Sequence, residues 1–232
     1  MSRLPDEQGL ALLLALMTLL MLSALGMALT MTTMSETAGA RNYRDGIEAL
    51  YAADGAIERV IQDLRAAPDW NRLLAGAMTS AFIDGPPFGV RETVAGRLNL
   101  TEATNMLRCG KTTTCSEADM TERTDDRPWG PNSPRWQLFA SGSMADMLPG
   151  VLASWIYVVV WIGDDPADND NDPLLDGGPP PDGTEPEENP GLDVLALQAH
   201  AYGPGGVRRA VEVTVGRTPG NGVRIMSWRE LR

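Results

Sequence analysis

Asp168, Asp170, Asp172 and Asp176 are the residues in this chain whose type and spacing come nearest to metal chemistry. Oxygen ligands at alternating positions resemble the first half of a calcium loop, where carboxylates converge on a hard cation. The second half departs from that pattern: the glycine expected after the third ligand is Pro173, and the twelfth position is Pro179 instead of a bidentate glutamate. Two readings stand, a calcium site outside the EF-hand pattern and a solvated acidic loop. Cys109 and Cys115 bracket five residues in "CGKTTTC", a spacing that fits neither a CxxC redox pair nor a zinc knuckle. They are expected to close a small disulfide loop in an oxidising compartment, the alternative being two free thiols on a surface loop. His200 is the only histidine and lies in a strand-like run, so it reads as a hydrogen-bonded sheet residue before it reads as a catalyst. No GxSxG, HExxH, Walker loop or dinucleotide fingerprint occurs. With no nucleophile, base and orienting group to assemble, the chain is expected not to be an enzyme, and no cofactor is implied beyond calcium.

The charge balance locates the carboxylates. The net charge is −12, but Asp164 to Asp193 holds 11 acidic residues and no Lys or Arg, which leaves 20 acidic against 19 basic elsewhere. No basic stripe exists to neutralise phosphates, so nucleic acid is excluded as a partner. Seven prolines between Pro166 and Pro190 forbid regular structure through most of the acidic insert, residues 164–193. At 232 residues the chain has room for one anchor and one domain with a real core.

The elements that must carry these residues begin with an apolar run. Leu10 to Thr30 contains no charge and no proline, and as a helix it spans roughly 30 Å, the thickness of a bilayer's hydrocarbon. It is too long for the apolar core of a secretory signal, and Arg3 is offset by Asp6 and Glu7, so the flank gives little orientation. Beyond Thr30 the helical pattern continues with mixed charge, and Ile47, Leu50, Tyr51, Ile57, Val60, Ile61 and Leu64 form one stripe predicted to face a sheet. Pro68 ends it. Alternation and β-branched residues predict strands at 90–100, 135–141, 154–162, 194–202, 207–217 and 223–228, with 194–202 and 207–217 as a hairpin. Thr101 opens a capping-like start to a short segment, and 110–134 reads as a loop. A long helix followed by strands argues for an α+β fold, an antiparallel sheet packed on the helix.

The junction at Gly9 adds a family. A short polar leader ending in glycine directly against the apolar run resembles the class III leader of type IV prepilins. Residues 8–64, "QGLALLLALMTLLMLSALGMALTMTTMSETAGARNYRDGIEALYAADGAIERVIQDL", resemble the N-terminal region of PilX-type minor pilins, and "GVRRAVEVTVGR" with "VRIMSWRELR" is similar to the C-terminal strands of that group. The resemblance implies a pilin-like fold and four parts: a leader, 1–9; a transmembrane and filament-core helix, 10–30; its amphipathic continuation, 31–67; and a periplasmic or extracellular β-rich domain, 68–232. It also implies processing between Gly9 and Leu10, with methylation of the new amine, and packing of the helix through Leu14, Ala15, Ala24 and Gly26, small residues there allowing close approach. The implied partners are other major and minor pilins, the prepilin peptidase, the pilus assembly platform and membrane lipid. The implied location is the inner membrane, single-pass, then the pilus surface. Major pilins carry a glutamate at the fifth position after the cut, where this chain has Leu14. A subunit with no predecessor has no amine to neutralise, so the exchange points to a tip or initiation role. The alternatives are a minor pseudopilin of a type II secretion system and a membrane-anchored, calcium-dependent binding or adhesion module.

Overall fold

The structure is a computed structural model, described for residues 7–125, 135–147, 154–168, 172–177, 191–220 and 222–231. The chain divides into two units, the first ending at Arg44 and the second running from Asp45 to Arg232. Helix α1 (Glu7–Ala66) contributes to both. It is followed by α2 (Asn71–Leu74), a hairpin of β1 (Val90–Thr93) and β2 (Gly96–Asn99), helices α3 (Leu100–Cys109) and α4 (Glu117–Asp125), then β3 (Gln137–Ser143), α5 (Met144–Met147), β4 (Tyr157–Asp164), β5 (Val194–Tyr202), β6 (Arg208–Thr218) and β7 (Gly222–Leu231).

Strands β3 to β7 form one antiparallel sheet in sequence order, each paired with the next. The long helix packs on one face of it. Gly46, Ala49, Ala53, Ala56, Ile57, Val60, Ile61 and Leu64 are buried on α1, opposite Val158, Val160, Leu195, Leu197, Val211, Val213 and Val215. Each large aliphatic side chain removed from water here contributes roughly 1.5–3 kcal/mol. The alanines let the helix axis approach the sheet. Tyr51 departs from the predicted stripe: it is 69% exposed, because at about 100° per residue it lies on the side of the helix away from Ala49, Ala53 and Ala56.

The opposite sheet face carries a second core. Leu100 of α3 packs with Trp136, Leu138, Tyr157, Val159, Trp161 and Ala196, and the Trp161 indole donates to Thr104 Oγ1 at 2.9 Å. The middle of the sheet is therefore covered on both sides, and β4 and β5 are buried almost throughout. This explains their near-continuous apolar sequence.

Three other sequence expectations are corrected. The strand predicted at 90–100 is the β1–β2 hairpin, turned at Val94 and Ala95 and re-entered at Gly96 with φ of 107°, a value glycine tolerates. Helix α3 starts from Asn99, whose side chain accepts from the Thr101 and Glu102 amides, so the cap lies two residues before Thr101. The stretch read as a loop after Gly110 contains α4, a polar helix in which Met120 is buried.

Candidate assembly interface

From Leu10 to Arg44 every residue of α1 is exposed on the chain itself. An 18-residue window within this helix reaches a mean hydropathy of 2.4, and its length and composition suffice to cross a membrane. Leu, Met and Ala supply helix propensity without polar side chains. The threonine hydroxyls turn inward on the backbone: Thr18 donates to the Ala15 carbonyl at 2.9 Å, Thr30 to the Gly26 carbonyl at 2.7 Å, and Thr33 to the Leu29 carbonyl at 2.9 Å. An apolar surrounding thus meets few unsatisfied polar groups.

Gly26 has no reason inside the chain. A Cβ built there meets nothing within 4 Å, yet glycine in a helix interior costs about 1 kcal/mol relative to alanine. At about 100° per residue Ala15 and Gly26 share one side of α1 while Ala24 lies opposite, so small residues occur on more than one side. Leu14, 55% exposed, leaves this zone without a carboxylate. Gly9 and Leu10 both lie within α1.

The second unit grips its share of α1 by polar contacts as well as by the core. Asp54 accepts from the Trp228 indole at 2.7 Å, Glu48 from the Ser154 hydroxyl at 2.8 Å, and Asp63 from Ser80. A hub that sequence reasoning missed sits beside β3. Asp84 accepts from Ser141 Oγ at 3.0 Å and Tyr157 Oη at 2.8 Å and pairs with Arg91 at 3.1 Å. Burial pushes the Tyr157 phenol up. The sequence carries no local signal for this, since the partners lie 7 to 73 positions away.

The residues singled out for chemistry fall in separate places. Cys109 and Cys115 are joined by a disulfide between the end of α3 and the approach to α4. His200 lies on the outer sheet face, where Arg208 donates to Nδ1 at 3.0 Å and Nε2 faces Gln198 Oε1 at 3.3 Å. Burial, then the Arg208 charge, hold its pKa down to about 3. Gln198 donates onward to Glu212 at 2.6 Å, and Glu212 pairs with Arg229. That row of side chains crosses β5, β6 and β7 as a fixed neutral-imidazole network. At the roots of the acidic insert Asp168 is buried, Asp172 is exposed and Asp176 is partly buried; Asp170 lies outside the described residues. Burial and the neighbouring Asp193 and Asp168 carboxylates push Asp176 up to about 7. Among the described residues no group of three or more His, Cys, Asp or Glu side chains is placed to hold a metal ion.

The model of the PilX N-terminal family matches residues 8–58, less than a quarter of the chain. No curated protein and no solved structure matches it. The matched stretch covers the exposed apolar part of α1 and the first turns that enter the sheet core, and the body beyond it has the α+β layout of a long helix on an antiparallel sheet. Residues 8–58 are thus similar to the PilX N-terminal region, which is consistent with a PilX-type pilin.

Proposed function

We propose that this chain is a minor pilin of type IV pili that is cut between Gly9 and Leu10, held in the inner membrane by its apolar helix, and drawn into a filament by packing of that helix against other pilins. The observation that carries the reading is the PilX N-terminal match over a helix whose residues from Leu10 to Arg44 are all exposed on the chain itself. Such a surface, with glycine and alanine on two sides, suits membrane first and helices afterwards. Leu14 in place of the glutamate of major pilins supports a position without a predecessor, at the tip or in initiation, because a carboxylate in an apolar zone costs several kcal/mol unless a charge meets it.

Mass spectrometry of the chain, produced with and without a prepilin peptidase, tests this. The expected mature N-terminus is Leu10, carrying a methyl group on its amine, only when the peptidase is present. An unchanged Met1 in both cases overturns the proposal. Loss of surface fibres in a deletion strain, with secretion intact, would separate a pilus role from a secretion pseudopilus.

A further inference from the structure

The two edges of the sheet are finished differently. Along β3, residues 80–84 lie against the edge: the Ser80 amide donates to the Phe139 carbonyl at 2.9 Å, Ser141 to Phe82 at 3.2 Å and Asp84 to Ser141 at 3.1 Å. Along β7, a strand of 10 residues, no described strand pairs with the outer side. Folded proteins blunt such edges with proline, charge or a bulge, because an open ladder invites another chain. Here the bulge falls at Met226, between the Thr214–Ser227 and Val215–Ile225 pairs, and leaves Ser227 to Leu231 in regular register.

The edge carries exposed apolar side chains and is already ordered. Ile225, Met226 and Trp228 are 39%, 53% and 46% exposed. Trp228 is tied to Asp54 of α1 at 2.7 Å, and Arg65 reaches the Val223 carbonyl at 3.4 Å. A strand fixed in this way loses little further freedom when it is paired. Register places Arg224, opposite Gly216, on the same sheet face as Arg229, opposite Glu212. Arg229 is neutralised by Glu212; Arg224 has no ion-pair partner among the described residues. A second copy laid along this edge would add another unpaired Arg224, while its β6 and β7 carboxylates, Glu212 and Glu230, are already paired with Arg229 and Arg209 and leave no partner for it.

We propose that the outer edge of β7 receives an extended strand from a different polypeptide, with apolar side chains beside Ile225 and Trp228 and a carboxylate beside Arg224. Main-chain hydrogen bonds supply the binding, and the alternate side chains supply the selection.

The probe is a capped nine-residue peptide of alternating valine and threonine ending in glutamate, added to the full chain in detergent. Hydrogen exchange is expected to slow at alternate amides between Val223 and Leu231, with no change in β4. Arg224→Glu is expected to weaken binding about tenfold, and N-methylation of the peptide backbone to abolish it. Both Arg224→Glu and Ile225→Lys alter exposed side chains, so unchanged circular dichroism and melting separate lost binding from lost fold. Three results would overturn the proposal: no change in β7 exchange, equal binding of the N-methylated peptide, or self-association of the chain that Ile225→Lys removes, which would make a second copy the occupant.

Discussion

The His200 imidazole is held neutral by burial and by the Arg208 charge beside Nδ1, while Nε2 faces the Gln198 amide oxygen. An unfolded imidazole titrates near 6.5 and the folded one near 3, so between those values the unfolded chain binds a proton that the folded chain refuses. Stability from this group is intact above pH 6.5 and falls by about 1.4 kcal/mol per unit as the pH drops below it. Urea unfolding followed across that range should give His200→Gln a shallower acid slope than the parent; parallel slopes would show that another group governs the limb. Gly191 makes a steric prediction of the same kind. A Cβ there would lie 2.5 Å from Asp168 Cα, a backbone atom with no rotamer to yield. Gly191→Ala is expected to cost about 1–3 kcal/mol in chemical denaturation. The sequence allowed His200 to be read as a sheet residue because its neighbours alternate. It carried no sign of Gly191, whose contact joins the two roots of the insert and exists only once the chain has turned back.

Helix α3 owes its start to one side chain. Asn99→Ala removes the acceptor for two amides and is expected to cost about 1 kcal/mol in thermal unfolding of the full chain. The disulfide after it closes a short loop, and in the chain-entropy account replacing both cysteines by serine costs roughly 2 kcal/mol, read in the same assay. At this scale the strands were readable because β-branched and aromatic runs leave few alternatives, and all five strands of the main sheet were expected close to where they lie. The small hairpin was not, since a glycine turn inside an alternating run preserves the alternation. Helix α4 escaped for a different reason. Its sequence shows no apolar period, and among its described side chains only Met120 is buried. Tyr51 was misplaced because the helix meets the sheet through alanines, which a search for large apolar side chains undervalues.

For the whole molecule, stability and assembly are separable. Gly26→Leu adds bulk where nothing in the chain is near. It is expected to leave the melting of the second unit unchanged while reducing incorporation of the chain into fibres, measured by immunoblot of sheared filaments; a shifted melting temperature with normal incorporation would refute the assignment of Gly26 to packing. Leu14→Glu is expected to lower the frequency of new filaments, counted per cell, without altering the amount of chain in the membrane. Equal or improved priming would remove Leu14 as a marker of position. The N-terminal helix could be read from the sequence almost completely, since an uninterrupted apolar run announces itself by composition alone. The edge contrast between β3 and β7 could not, because strand order is a property of the whole sheet.

Strand pairing also decides what can be done with the acidic insert. Asp164 at the end of β4 sits opposite Leu195 at the start of β5, so the two strands it joins are already neighbours, a gap that a two-residue turn can close. Its length therefore enters the fold only through a closure entropy that grows by roughly 0.6 kcal/mol for each doubling. A foreign peptide inserted between Gly177 and Gly191 is expected to leave the register of β4 and β5, and with it the melting of the second unit, unchanged.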